Sequence, residues 1–252
     1  ACAPPLSSPS LAAVENVDIP QAETFEIIDS LADSEAQVFV PPDYFMCDDC
    51  RLELRDPGDR RHAYPFINCT QCGPRYTLIE ALPYDRPNTS MKAFPLCPDC
   101  EAEYRDPLDR RFHAEPVACA NCGPQLSFAE QGAALVESPD IALKKAVAAI
   151  RAGAVVAVKG IGGYHLVCDA LNEAAVSRLR DRKRRPHKPL AVMFPIAGDD
   201  GLDVVRDSVA LSDEEAEIAA GPSRPIVLAR RRQDCPLATN VAPGLDELGV
   251  FL

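Results

Sequence analysis

Eight of the chain's eleven cysteines fall in four Cys-x-x-Cys pairs between Cys47 and Cys122, and their spacing limits what that stretch can become. Cys47 and Cys50 are followed after eighteen residues by Cys69 and Cys72. Cys97 and Cys100 are followed after eighteen more by Cys119 and Cys122, so the second quartet repeats the first at an offset of fifty. A Cys-x-x-Cys hairpin presents two thiolates to one ion, and a second hairpin roughly fifteen to twenty residues on closes a tetrahedral set that suits structural zinc. The competing framework, a disulfide scaffold, belongs to secreted chains. No stretch of this sequence reads as a signal peptide or as an apolar run of membrane-spanning length. Two structural Zn2+ ions, held by Cys47, Cys50, Cys69 and Cys72 and by Cys97, Cys100, Cys119 and Cys122, are therefore expected in a cytoplasmic protein with no membrane partner.

The repeat extends past the cysteines. Arg55-Asp56-Pro57-Gly58-Asp59-Arg60-Arg61 in the first unit returns as Arg105-Asp106-Pro107-Leu108-Asp109-Arg110-Arg111 in the second. Asp-Pro favours turns, and these loops are expected to compensate their own charges. His62 and His113 fall out of frame, His113 aligning with Ala63 and His62 with Phe112, and four thiolates already saturate an ion. Each second hairpin continues as Cys-Gly-Pro, where Gly73 and Gly123 can supply the positive φ of a tight knuckle. Metal alone does not order such a segment, so apolar burial is expected from Leu52, Leu54, Tyr64, Phe66 and Ile67, and from Tyr104, Phe112 and Val117.

Apolar residues make up 47% of the 252, enough for a core, and the formal net charge is −12, which argues against wholesale attraction to nucleic acid or an anionic membrane. Any anion site must be local. Tryptophan is absent and aromatics are 6%, which disfavours base-stacking platforms. Residues 1–20, with four prolines and three serines, read as a linker, and Thr24-Phe25-Glu26-Ile27-Ile28 as a short strand.

Beyond the cysteines, Ser138-Pro139-Asp140 opens a helix whose apolar face is Leu143, Ala146, Val147 and Ile150, ended by Gly153. Ala154-Val155-Val156-Ala157-Val158 reads as a buried strand delivering Lys159 and Gly160-Ile161-Gly162-Gly163 at its carboxyl end, where α/β sheets bind ligands. A helix follows from Asn172 through Leu179, then strands at 190–194 and 225–229 flank an acidic helix opened by the capping box Ser212-x-x-Glu215. This alternation predicts an α/β domain from about residue 138. The apolar run Gly249-Val250-Phe251-Leu252 has no turn or cap and reads as a cut inside that domain.

The glycine loop lacks the P-loop pattern, and His165 stands where a dinucleotide fingerprint needs its third glycine. Its backbone could cradle an anion beside Lys159, or it could be a tight turn. Residues 178–188 hold seven cations in eleven on an otherwise acidic chain. Pro186 and Pro189 are expected to stiffen this run beside a strand, where guanidinium and ammonium groups suit phosphates. Cys168 reads as a small buried apolar side chain rather than a nucleophile.

With these residues in view the chain resembles the hydrogenase-maturation carbamoyltransferases, the HypF family. The likeness rests on Tyr64-Pro65-Phe66-Ile67-Asn68-Cys69, Pro83-Tyr84-Asp85-Arg86-Pro87, Phe94-Pro95-Leu96-Cys97, the second repeat through Phe112-His113-Ala114, and Lys159-Gly160-Ile161-Gly162-Gly163-Tyr164-His165-Leu166. Lys183-x-Arg185-Pro186 and Lys188-Pro189-Leu190-Ala191-Val192-Met193 complete it. The resemblance implies an α+β/α/β chain, two four-cysteine zinc-finger units followed by a partial YrdC-like α/β twisted-sheet domain. The corresponding limits are a linker with a possible acylphosphatase-like trace at 1–40, a zinc region at 41–130 and the α/β part at 135–252. It further implies carbamoyl phosphate and ATP as substrates, with Mg2+ accompanying ATP, a carbamoyl-adenylate intermediate, and transfer to the C-terminal cysteine of HypE for the cyanide ligand of nickel-iron hydrogenase. The nucleotide phosphates would meet Lys183 and Arg185, with Lys188, Lys159, Gly162, Gly163 and His165 around the same cleft. The family's acylphosphatase-like and transfer domains, and its later serine-rich nucleotide segment, have no counterpart here, so this portion alone is expected to be inactive.

Two other readings compete. One is a non-catalytic zinc module contacting a protein or double-stranded RNA through 178–188, against which the acidic charge and scarce aromatics weigh. The other is a relative of the tRNA threonylcarbamoyl-adenylate synthases, which leaves the zinc repeats unexplained.

Overall fold

A computed structural model describes residues 13–14 and 42–252; the rest of the linker and the short strand expected at 24–28 lie outside the described residues. The chain divides into two compact units, one ending at Gly123 and one running from Pro124 to Leu252.

In the first unit, each leading Cys-x-x-Cys pair sits at the head of an eight-residue helix: α1, Asp48–Arg55, and α2, Pro98–Arg105. Cys47 and Cys97 occupy the N-cap positions. Each helix ends at an aspartate in extended conformation, and the Asp-Pro loop follows as an Asx turn, with Asp56 accepting from the Gly58 N–H and Asp106 from the Leu108 N–H. Further along the loop, Ala63 and His113 are both left-handed, at φ 55° and 50°, and donate back to the carbonyls of Leu54 and Tyr104. The frame shift between the histidines therefore has a backbone meaning: position 63 and position 113 are the same turn. The His113 ring packs against Tyr104 and Phe112, with centroids 4.7 Å away in each case.

The two repeats share one small core of Cys50, Tyr64, Ile67, Cys69, Cys72, Leu78, Met91 and Ala118. Leu52, expected in it, is 68% exposed. At 3.6 residues per turn Leu52 and Leu54 point to opposite sides of α1, and Leu54 takes the core side. The connector between the quartets forms three short 3₁₀ turns, Tyr76–Leu78, Arg86–Asn88 and Ser90–Ala93. Its anchor is Arg86, whose guanidinium donates to the carbonyls of Phe94, Glu115 and Val117.

In the second unit, α3 spans Pro139–Arg151. Ser138 holds the N-cap position without a side-chain cap bond, and of α3 only Ala142 is buried, while Leu143 and Val147 from the expected apolar face are exposed. The run after Gly153 forms β1, Val156–Lys159, but not a buried parallel strand: it pairs antiparallel with β2, Tyr164–Val167, as a separate hairpin whose side chains are largely exposed. The glycine loop is the turn of this hairpin, closed by a 2.7 Å bond from the Gly160 N–H to the Gly163 carbonyl.

Helix α4 covers Glu173–Lys183, capped by the Asn172 side chain, and so runs four residues past the expected stop at Leu179. Arginine and lysine are good helix formers, and cations favour a helix C-terminus, which together carry the helix through the basic run. A four-stranded mixed sheet follows, in the order β3, β6, β5, β4, where β3 is Ala191–Met193, β4 Val209–Ala210, β5 Val227–Arg231 and β6 Glu247–Phe251. Short α5, Asp203–Arg206, and α6, Asp213–Ala220, lie between these strands, and α6 carries the expected capping box in full. The run at 249–252 belongs largely to β6, parallel to β3 on one side and antiparallel to β5 on the other. Along the register Val192, Val250 and Val227 form one row and Leu248 faces Ala229. These side chains pack with Val176, Leu202, Val205, Val209 and Ala219 into the principal core. Cys168 and Cys235 are partly buried against it, and burial pushes the Cys168 thiol up.

Candidate metal centres and the basic segment

The four sulfurs of each quartet converge. In the first, Cys47 and Cys69 are 3.7 Å apart, Cys69 and Cys72 3.8 Å, and Cys72 and Cys50 3.6 Å. The second repeats this at 3.7, 3.8 and 3.6 Å for the corresponding pairs. A disulfide requires about 2.05 Å, and no described cysteine is in one. Four sulfurs placed tetrahedrally about 2.3 Å from one ion would have edges of about 3.8 Å. The donor sets thus fit two structural zinc ions, each closed by four thiolates with no position left for water.

The glycine after each second hairpin has a different reason in each repeat. Gly73 takes the positive φ expected of a knuckle, at 94°. Gly123 does not; a Cβ there would stand 2.0 Å from the Tyr64 hydroxyl and 2.6 Å from the Ala118 Cβ, so close approach, not dihedral freedom, excludes a side chain.

The Arg-Arg pairs do not compensate their own loops' charges. Arg60 reaches the other repeat, donating to Glu103 and, at 3.3 Å, to the Cys100 sulfur. Arg61, 1% exposed, donates to Glu103 and to the Ala118 carbonyl. The mirror set holds at the fifty-residue offset: Arg110 donates to Glu53 and, at 3.2 Å, to the Cys50 sulfur, while Arg111 donates to Glu53 and to the Asn68 carbonyl. Burial alone would raise the Glu103 carboxyl, but Arg61 and Arg60 hold it at about 2; Glu53 is held low in the same way by Arg111 and Arg110. Neither glutamate stood out in the sequence. The available signal was their identical place, three residues after the second cysteine of each leading pair, hence on the same helical face.

The other residues singled out for phosphate binding fall into two groups. Lys159, Gly162, Gly163 and His165 share the β1–β2 hairpin. Lys159 lies opposite Tyr164, with its ammonium 5.2 Å from the ring centroid. The Gly162 and Gly163 positions face open space. Lys183, Arg185 and Lys188 belong to the end of α4 and the connector to β3, and no described hydrogen bond or ion pair joins the two groups.

Of the seven cations, four ride on α4, and Arg184 is its left-handed cap at φ 51°. Arg178 donates to the Gly153 carbonyl at 2.6 Å. Arg180, 6% exposed, is a structural cation that satisfies the carbonyls of Arg185, Lys188, Asn240 and Val241. Arg185 donates to Lys188 and Pro189 carbonyls, which holds the connector in a tight loop. Lys183 and Lys188 are exposed. Of the residues singled out for phosphate, Arg185 lines an open cleft of about 670 Å³, together with Ser177, Arg180, Asp181, Arg184 and Asn240.

Residues 46–79 and 96–129 each match the family model described as the HypF finger, and residues 148–252 match the Sua5, YciO and YrdC model described as telomere recombination. The carbamoyltransferase HypF of Synechocystis is 48% identical over 95% of this chain. The chain matches a segment of the HypF carbamoyltransferases. It spans about 30% of the length of that relative. A crystal structure of full-length HypF in a phosphate- and nucleotide-bound form superposes with a TM-score of 0.76 at 49% identity, over 84% of this chain and 27% of that one. HypF from T. kodakarensis gives 0.78 at 47% identity, over 86% and 28%. The architecture is accordingly that of two four-cysteine HypF fingers followed by a YrdC-like α/β domain. No described helix is long and apolar enough to cross a membrane.

Proposed function

We propose that this chain is the zinc-finger and nucleotide-handling portion of an ATP-dependent carbamoyltransferase, with the zinc region at 41–130 and the YrdC-like part at 135–252. In this reading the whole enzyme, with Mg2+ and ATP, converts carbamoyl phosphate to carbamoyl adenylate and passes the carbamoyl group to the C-terminal cysteine of HypE in the cytoplasm. The observation that carries it is the 48% identity to a HypF carbamoyltransferase across nearly the whole chain.

The phosphate-binding assignment of Lys183, Arg185, Lys188, Lys159, Gly162, Gly163 and His165 belongs to the same proposal. The exposure of Lys183 and Lys188, concentrated on a chain of net charge −12, supports it, as does the phosphate- and nucleotide-bound state of the structural relative. Arg185 plays a double part here. Two of its N–H groups fasten the connector, and the remaining donors of the planar fork are left to meet a phosphate oxygen. The chemistry required of these residues is charge neutralisation at fixed positions, which a proline-stiffened loop tied to Arg180 provides.

The test is carbamoyl-phosphate-dependent pyrophosphate exchange into ATP, measured on a full-length enzyme containing this sequence. Lys183→Ala with Arg185→Ala is expected to lower exchange by at least about tenfold. Undiminished exchange in that variant rejects the site, and exchange driven by threonine and bicarbonate instead points to threonylcarbamoyl-adenylate chemistry.

A further inference from the structure

The finger unit contains an open cleft of about 630 Å³ lined by Arg60, Arg61, Arg110, Arg111, Glu53 and Glu103. Four arginines around one cleft suggest an anion site, but their forks already serve two carboxylates, two backbone carbonyls and two sets of sulfurs. Their electrostatic partner is therefore internal. A zinc ion with four thiolates carries a formal charge of about −2, so each arginine pair approaches a centre that is itself negative.

From this geometry we infer that each finger's arginine pair completes the metal centre of the other finger, so that each zinc site takes its outer hydrogen bonds from the opposite repeat. Arg110 donates to the Cys50 sulfur at 3.2 Å and lies 3.9 Å from that of Cys47. Arg60 and Arg61 approach the Cys100 sulfur at 3.3 and 3.5 Å. N–H donation to a coordinated thiolate spreads its charge without competing for the metal, and groups that orient ligands in this way govern metal retention. The glutamates fix the donors. Glu53 follows Cys50 by three residues on α1, and Glu103 follows Cys100 on α2, so each helix presents a sulfur and a carboxylate together to the incoming pair. The cleft is thus a crossed clasp, in which the sulfur and carboxylate of each leading helix hold the arginines of the opposite repeat.

This assignment is independent of the carbamoyl chemistry, and its readout is the position of metal loss. The zinc-loaded 252-residue chain is exposed to a chelator and pulsed with N-ethylmaleimide, and the alkylated cysteines are located by peptide mass spectrometry. Arg110→Gln is expected to speed labelling of Cys47, Cys50, Cys69 and Cys72 roughly tenfold while the second quartet keeps its rate, and Arg60→Gln to do the reverse. Arg110→Lys keeps the charge but not the fork, and the same crossed pattern is expected at smaller amplitude even if the Gln variant is poorly folded. Leu108→Ser, at a 95% exposed position of the same loop, is expected to change neither quartet. Faster labelling in the mutated repeat itself, equal labelling of both quartets in the Gln and Lys variants, no change in any variant, or the crossed pattern in Leu108→Ser overturns the inference.

Discussion

In residues 42–123 the α-helices have eight residues each and only isolated bridges pair the backbone, whereas residues 124–252 carry six strands and a helix of thirteen residues. The contrast continues inside. Six of the eight buried polar side chains among the described residues, Arg61, Asn68, Arg75, Thr89, Arg111 and Glu115, are in the first unit, while Arg180 and Ser208 are in the second. The core of the first unit includes three metal-site cysteines among its eight members; that of the second contains sixteen residues, almost all aliphatic. One unit is thus organised by thiolates and charge, the other by apolar area. Each should fail under a different insult.

The largest expected effect is metal removal. A structural zinc contributes roughly 10–16 kcal/mol, as much as the whole stability of a typical domain, so a strong chelator should abolish amide protection in 42–123. Protection of β5, β6 and α4 should persist. Hydrogen exchange with mass spectrometry reads both at once, and equal loss in the two units would erase the distinction.

Leu248→Ala inverts the experiment. Leu248 is fully buried against Ala229 and the core of the second unit, and its truncation is expected to cost about 2–5 kcal/mol there without altering zinc content. Arg61→Met tests whether charge matters as claimed in the first unit. It leaves the Glu103 carboxylate with Arg60 alone and strands the Ala118 carbonyl, at an expected cost of about 3 kcal/mol, the low end for breaking a buried pair because Glu103 keeps one partner. Denaturant titration followed separately in each unit distinguishes them, and an Arg61 variant as stable as the parent would show that the crossed pairs merely decorate a metal-built frame.

What the sequence disclosed follows the same division. The cysteine spacing and the fifty-residue offset announced the two metal centres, because ligand geometry tolerates little variation in spacing. The partners of the arginines were hidden, since Arg60 and Glu103 are far apart in sequence and only the folded pseudo-symmetry joins them. In the second unit the capping box at Ser212 and the cap at Asn172 are local chemistry and were readable. The hairpin of β1 and β2 was not. An apolar run such as Val156-Ala157-Val158 has no alternation to report its pairing, and the antiparallel partner is specified by the four-residue glycine turn rather than by the strand. The end of α4 was missed for a related reason: the seven cations read as a proline-stiffened, phosphate-facing segment beside a strand, whereas four of them ride on the helix and Arg180 turns inward to backbone carbonyls.

The smallest expected effect separates the units most finely, at their helix starts. In the second unit, Ser212 accepts from the Glu215 N–H at 3.2 Å while Glu215 accepts from the Ser212 N–H at 2.7 Å, so Ser212→Ala should cost about 1 kcal/mol. In the first unit the N-cap positions of α1 and α2 are occupied by Cys47 and Cys97, whose side chains make no cap bond because their sulfurs turn toward the metal centre. There the positive end of the helix faces a thiolate set, and the dipole supports the ion's ligands instead of a hydroxyl cap. A stability loss from Ser212→Ala that depends on zinc occupancy would mean that the two kinds of helix start are not independent, and that metal and apolar packing act on one cooperative structure.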